Sequence, residues 1–133
     1  MTQEDNDLLL KDLCARLPYG VICKCYHTEF DEWDGKPFVA NYNETLNNID
    51  VNGFFLAGGF SYEIDEVKPY LRPMSSMTEE EKEFNKVVFD SIDIDNISPC
   101  VCIANWLYSK YFDVNGLIPK GLALEAPEGM YKK

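Results

Sequence analysis

Between Gly20 and about Leu71 short β-prone runs alternate with turn signals, and this β character constrains the fold most. Val21-Ile22-Cys23-Lys24-Cys25-Tyr26 is β-branched and partly alternating, which predicts a strand. The acidic stretch from Glu29 to Lys36 carries the turn signal Asp34-Gly35, and Phe38 to Tyr42 predicts a second strand. Thr45 to Val51 and Gly53 to Ala57 predict a third and a fourth, with Asn52-Gly53 as the turn between them. Gly58-Gly59 makes another break before a fifth short run, Phe60 to Ile64. Strands this short with turns this tight predict an antiparallel meander that curls on itself, an SH3-like barrel or a bent sheet. Asp65 to Pro73 then reads as a turn-rich exit, because Pro69 and Pro73 lack the N–H that a central strand uses.

Helical patterns flank this β region. Over residues 4–16, Leu9, Leu10, Leu13, Cys14 and Leu17 recur at helical spacing, acidic residues fill the first turn, and Pro18 stops the helix. Thr78 and Glu81 form a capping-box pattern opening a helix over 78–91, with Phe84, Val87, Val88 and Ile92 as its apolar face. After the Asp93 to Asn96 loop, Pro99 opens a second helix over 99–112, striped by Ile103, Ala104, Leu107, Tyr108 and Tyr111. Asn115-Gly116 is its stop signal, and residues 117–131 predict an irregular arm over the core. The expectation is a single α+β domain over residues 1–133, whose apolar content of 46% suffices for a core.

Charge narrows the function classes. Asp and Glu number 23 against 12 Lys and Arg, a formal net charge of −11, which disfavours direct binding to nucleic-acid backbones or anionic membranes. The acidic start, Glu4-Asp5-Asn6-Asp7, is the reverse of a secretory n-region, and the longest apolar stretches fall short of a membrane span. Five cysteines without a secretory signal read as reduced thiols, so a cytoplasmic location is expected.

Three blocks resemble a known family: Leu13 to Val21 (LCARLPYGV), Val67 to Glu81 (VKPYLRPMSSMTEEE) and Gly116 to Pro127 (GLIPKGLALEAP). They are similar to blocks of small uncharacterised proteins of gut-dwelling anaerobic bacteria and of their phages and mobile elements. One departure lies at Trp106-Leu107-Tyr108, where the family pattern has an acidic residue before the tryptophan and an asparagine after the leucine. That family has no assigned activity, so the resemblance implies no functional residue.

The candidate chemistry is sparse. Cys23-x-Cys25-x-His27 on a strand would point two thiols and an imidazole to one face, and Cys100-x-Cys102 could add ligands. Paired zinc cysteines usually have two to four residues between them, and the chain has one histidine, so no metal or cofactor is expected. No nucleophile elbow, glycine-rich phosphate loop or His-Glu-x-x-His pattern occurs, so no catalytic residue is assigned. The acidic clusters, such as Glu29-Asp31-Glu32-Asp34 and Glu63-Asp65-Glu66, lack the glycine of a calcium loop and read as solvated faces and helix caps. The aromatic set Trp33, Phe38, Tyr42, Phe54, Phe55 and Tyr62, with Phe60 beside it, exceeds what one face of a small sheet needs. The leading expectation is a non-enzymatic interaction or accessory protein that meets a protein partner through these rings. Two alternatives remain: an acidic inhibitor that mimics nucleic acid, and a metal protein or enzyme built on Cys23, Cys25 and His27.

Overall fold

The computed structural model describes residues 2–50, 54–90 and 98–131, with backbone alone for 88–90 and 98–102. The turn expected at Asn52-Gly53 and the loop from Asp93 to Asn96 lie outside the described residues, as does Ile92. The fold is α+β: helix α1 (Gln3–Arg16), strands β1 (Ile22–Phe30), β2 (Pro37–Ile49), β3 (Phe55–Ala57), β4 (Phe60–Tyr62) and β5 (Val67–Leu71), helices α2 (Glu79–Asp90) and α3 (Ser98–Ser109), then β6 (Leu124–Glu125). The strands form one sheet in the order β4-β3-β2-β1-β5-β6, antiparallel except for the β5–β6 pair. The arm therefore is not wholly irregular, since Leu124 and Glu125 extend the sheet.

The sheet curls without closing. Strands in a flat sheet lie about 4.8 Å apart, which would hold β1 and β4 about 14 Å from each other. Yet the ring of His27 on β1 lies 5.9 Å from that of Phe60 and 6.5 Å from that of Tyr62, both on β4. The bend falls in β2, where the register slips between Leu46 and Asn48. The runs expected as a second and a third strand are thus one bent strand, paired with β1 over Pro37–Thr45 and with β3 over Leu46–Ile49.

Pro69 does sit in an interior strand, contrary to the expectation of a turn-rich exit. Pairing alternates along an antiparallel ladder, so a bond at one step fixes the rest. Leu46 N–H donates to Val21 C=O (2.9 Å), so odd residues of β1 bond toward β2 and even ones toward β5. Lys24 and Lys68 are then the bonded pair, and Cys23 with Pro69 the unbonded one. The side of Pro69 without an N–H faces β6, which pairs only with Tyr70 and Leu71. The phenol of Tyr131 completes this end of the ladder: it accepts from Ile22 N–H (3.1 Å) and donates to Tyr70 C=O (2.7 Å).

Helix α1 opens on a capping box, Thr2 Oγ1 accepting from Asp5 N–H and Asp5 Oδ2 from Thr2 N–H. Its buried face is Leu9, Asp12, Leu13 and Arg16, while Leu10 and Cys14 are exposed. The stripe expected from apolar spacing is therefore rotated, because an ion pair takes half of the inner face. Leu9 and Leu13 pack in one core with Val21, Cys23, Cys25, Leu46, Phe55, Tyr62, Val67, Leu71 and Leu117. Helix α3 stops at Ser109, one turn short of the expected end at Phe112, with Tyr111 in the left-handed region (φ 66°). Tyr111 O–H donates to Tyr19 C=O (2.7 Å), and its ring stacks on Tyr131 (3.7 Å), contacts that hold a non-glycine residue there.

The Thr78–Glu81 capping box forms as expected, each residue's side chain accepting from the other's backbone N–H. Glu81 also takes both terminal nitrogens of Arg72 (2.7 and 3.0 Å), whose guanidinium lies 4.2 Å over the ring of Phe112. The Arg72 hydrogen bonds, reinforced by Thr78, hold the Glu81 carboxyl at about 2, below its ordinary 4.5. A depressed folded pKa adds stability above the unfolded pKa and loses it as pH falls through the folded one. Stability from this contact therefore falls as pH drops from about 4.5 to 2, and Glu81→Gln flattens that part of the acid limb in pH-dependent urea unfolding.

Candidate functional site

The described surface is least explained by folding at the outer end of the β1–β2 hairpin. From Tyr26 outward β1 has no β5 partner, and before Leu46 β2 has no β3 partner. The two strands continue there as a two-stranded ribbon, an arrangement marginal in water by itself. Local bonds give its tip one shape. Asp31 Oδ1 accepts from the N–H groups of Trp33 (2.7 Å) and Asp34 (3.2 Å), Gly35 adopts φ 68°, and Asp31 N–H donates to Lys36 C=O (2.9 Å).

Residues opposite one another in an antiparallel pair share a face. Cys23, Cys25, His27 and Glu29 thus lie on one face with Glu44, Tyr42, Ala40 and Phe38. This face runs from core to surface: Cys23 and Cys25 are buried, His27 is half-buried, and Tyr42 and Phe38 are exposed. Tyr42 O–H donates to Glu29 Oε1 (2.6 Å), and that bond raises the tyrosine pKa. Phe60, also exposed, reaches the same face against His27. The opposite face carries Phe30 (68% exposed) and Val39 (65%), and Trp33 at the tip is 94% exposed.

The structure divides the six aromatic residues singled out in the sequence. Trp33, Phe38 and Tyr42 are exposed on the ribbon, and Phe54 is half-buried. Phe55 (0% exposed) and Tyr62 (1%) are core residues and offer no surface, because both point inward from the curled β3–β4 pair. Phe30 and Val39 join the exposed set without belonging to those six; Phe30 lies on the period-two continuation of the first strand past its predicted end at Tyr26, and Val39 alternates with Phe38 inside the predicted second strand.

Cys23, Cys25 and His27 share a face as expected but do not form a ligand cluster. Among the described residues one trio has its possible ligand atoms within 4.8 Å of one another, Glu63, Asp65 and Glu66. That trio has a local role, since Glu66 Oε1 accepts from Glu63 N–H (2.8 Å) and caps the turn between β4 and β5. The side chains of Cys100 and Cys102 lie outside the described residues. Burial, with the Glu44 carboxylate nearby, pushes the Cys25 thiol up to about 11, and burial raises Cys23 as well. Iodoacetamide at pH 8 will therefore modify exposed Cys14 in the native protein and leave Cys23 and Cys25 until urea unfolds it, as peptide mass spectrometry will show.

A cleft of about 670 Å³ lies between the start of α2 and the C-terminal arm, lined by Arg72, Ser76, Thr78, Glu80, Glu125 and Tyr131 among others. Neither a histidine nor a cysteine lines it, and its arginine is already paired with Glu81. The other arginine of the chain, Arg16, is wholly buried against Asp12. Both guanidinium groups are thus engaged internally, which leaves the surface no arginine for bidentate phosphate recognition. No described helix is long and apolar enough to cross a membrane. No family model, curated protein or solved structure matches the chain.

Proposed function

We propose that this chain is a non-enzymatic interaction protein that engages another protein through the aromatic ribbon of β1 and β2. One observation carries the reading: the large exposed apolar side chains of residues 30–42 (Phe30, Trp33, Phe38, Val39 and Tyr42) gather on one projecting element. Scattered exposed apolar residues need no explanation, whereas aromatic residues concentrated on a projecting edge mark contact surfaces. The resemblance to phage and mobile-element proteins suits an accessory role, and reduced thiols suit a cytoplasmic one.

A nucleic-acid mimic is the weaker reading. It rests on the net charge of −11, and several carboxylates are occupied in local structure: Glu81 with Arg72, Glu66 with Glu63, Glu29 with Tyr42. A mimic's contacts would also be lost in salt, which aromatic burial resists.

The test is capture of partners from the native host under reducing conditions, with the wild type and the Trp33→Ser/Phe38→Ser variant compared at 0.5 M salt. The ribbon reading predicts a protein retained by the wild type and depleted about tenfold or more by the variant. Equal retention by both refutes it, and partners released from both by salt favour the mimic.

A further inference from the structure

The ribbon has an edge as well as faces, and the edge is unusual. On the side away from β1, no strand among the described residues pairs with β2 between Pro37 and Thr45, since β3 begins opposite Leu46. The ladder alternation fixes which groups point there. Leu46 N–H bonds to Val21 and Asp31 N–H to Lys36, so Phe38, Ala40, Tyr42 and Glu44 bond toward β1. Val39, Asn41 and Asn43 therefore direct three consecutive N–H and C=O pairs away from the sheet.

Proteins usually protect such an edge with charge, proline, a bulge or a cover. Beyond Pro37 at the start of the strand, the stretch from Phe38 to Asn43 is Phe-Val-Ala-Asn-Tyr-Asn, with no charged residue and no further proline, and the bulge of β2 comes only later, at Leu46–Asn48. The other open edges are shorter or charged: β6 has two residues, β4 has three and is followed by Glu63, and the free stretch of β1 contains Glu29. The ends of the β2 edge are acidic, with Asp31, Glu32 and Asp34 at the hairpin tip and Glu44 at the other end, against two cations, Lys36 and, across from Asn43, Lys24. A second copy pairing antiparallel would set each acidic tip against the partner's Glu44 end, on chains each carrying −11, so charge complementarity selects a different occupant.

We infer that β2 accepts a strand by β-addition, from an extended segment of a partner protein that alternates basic and apolar residues. Backbone bonds to Val39, Asn41 and Asn43 supply the register, its apolar side chains cover the exposed rings, and its cations meet the acidic ends. This rests on the ribbon being the contact surface and specifies how it is used.

The experiment measures amide hydrogen exchange by NMR with two end-blocked ten-residue peptides at millimolar concentration, one alternating lysine with valine, the other glutamate with valine. The lysine peptide is expected to slow exchange at Val39, Asn41 and Asn43 by about tenfold or more, the glutamate peptide not at all. Asn41→Pro removes one edge N–H while leaving the bonds to β1, and it should abolish the effect; Val39→Pro serves if that variant does not fold. No slowing, equal slowing by both peptides, or slowing that survives the proline overturns the inference. Slow exchange at these amides without peptide, increasing with protein concentration, overturns it in favour of a second copy. A host partner lost on Trp33→Ser/Phe38→Ser but kept on Asn41→Pro would sink β-addition and leave the proposed function standing.

Discussion

Replacing Asp12 with alanine is expected to destabilise the protein by about 3–5 kcal/mol, several times what an exposed ion pair contributes. Asp12 and Arg16 are both fully buried on α1, joined by two bonds of 2.7 and 3.0 Å. Arg16 donates further to Phe112 C=O (2.6 Å) and lies 4.9 Å from the ring centroid of Tyr108, while Asn115 donates to Asp12 Oδ1 (2.9 Å). The pair thus ties α1 to the segment that leaves α3. Removing the carboxylate alone leaves a guanidinium in the core with its charge uncompensated, which is why the loss exceeds that of an ordinary hydrogen bond. The double variant Asp12→Leu/Arg16→Met removes both charges and should recover much of the loss. Urea unfolding of the three proteins checks this; a cost below about 1 kcal/mol for Asp12→Ala would mean that the pair is solvated.

The second large effect separates two aromatic residues that look alike in sequence. Phe55→Ala should cost about 3–5 kcal/mol, because the ring is fully buried beside Leu46, Ala57 and Tyr62 in the core and leaves a cavity. Trp33→Ala should change stability by less than about 0.5 kcal/mol, because its ring is 94% exposed and only its backbone N–H is bound, to Asp31. Thermal unfolding of both variants measures the difference directly. If Trp33→Ala were as costly as Phe55→Ala, the ribbon tip would be packed in solution and unfit as a free surface.

Which features are legible in the sequence depends on which forces leave a local trace. The capping box at Thr78 and Glu81, the helix stop at Pro18 and the β character of 20–71 are short-range chemistry, and each appears where the sequence places it. Apolar periodicity misplaces the inner face of α1 because it ignores Asp12 and Arg16, although residues 9, 12, 13 and 16 lie at the spacing of a single stripe. Pro69 enters an interior strand because the rule against it concerns an N–H, and here the register asks for none. Strand count fails at β2 because Asn43-Glu44 reads as a break, yet both residues stay in register with Lys24 and Cys23, and the bulge between Leu46 and Asn48 bends the strand without ending it. The same limit governs the site. Phe38 and Phe55 have the same side chain; only the curl of the sheet makes one a surface and the other a core.

Whether the ribbon is the contact surface is measured most directly by amide hydrogen exchange of the whole protein, free and saturated with the partner retained by the wild type in host capture. Contact through the ribbon predicts new protection concentrated in residues 28–43, on both strands, with the cleft between α2 and the C-terminal arm unchanged. Protection confined to that cleft, or to the acidic start of α2 with the ribbon still exchanging freely, would contradict it.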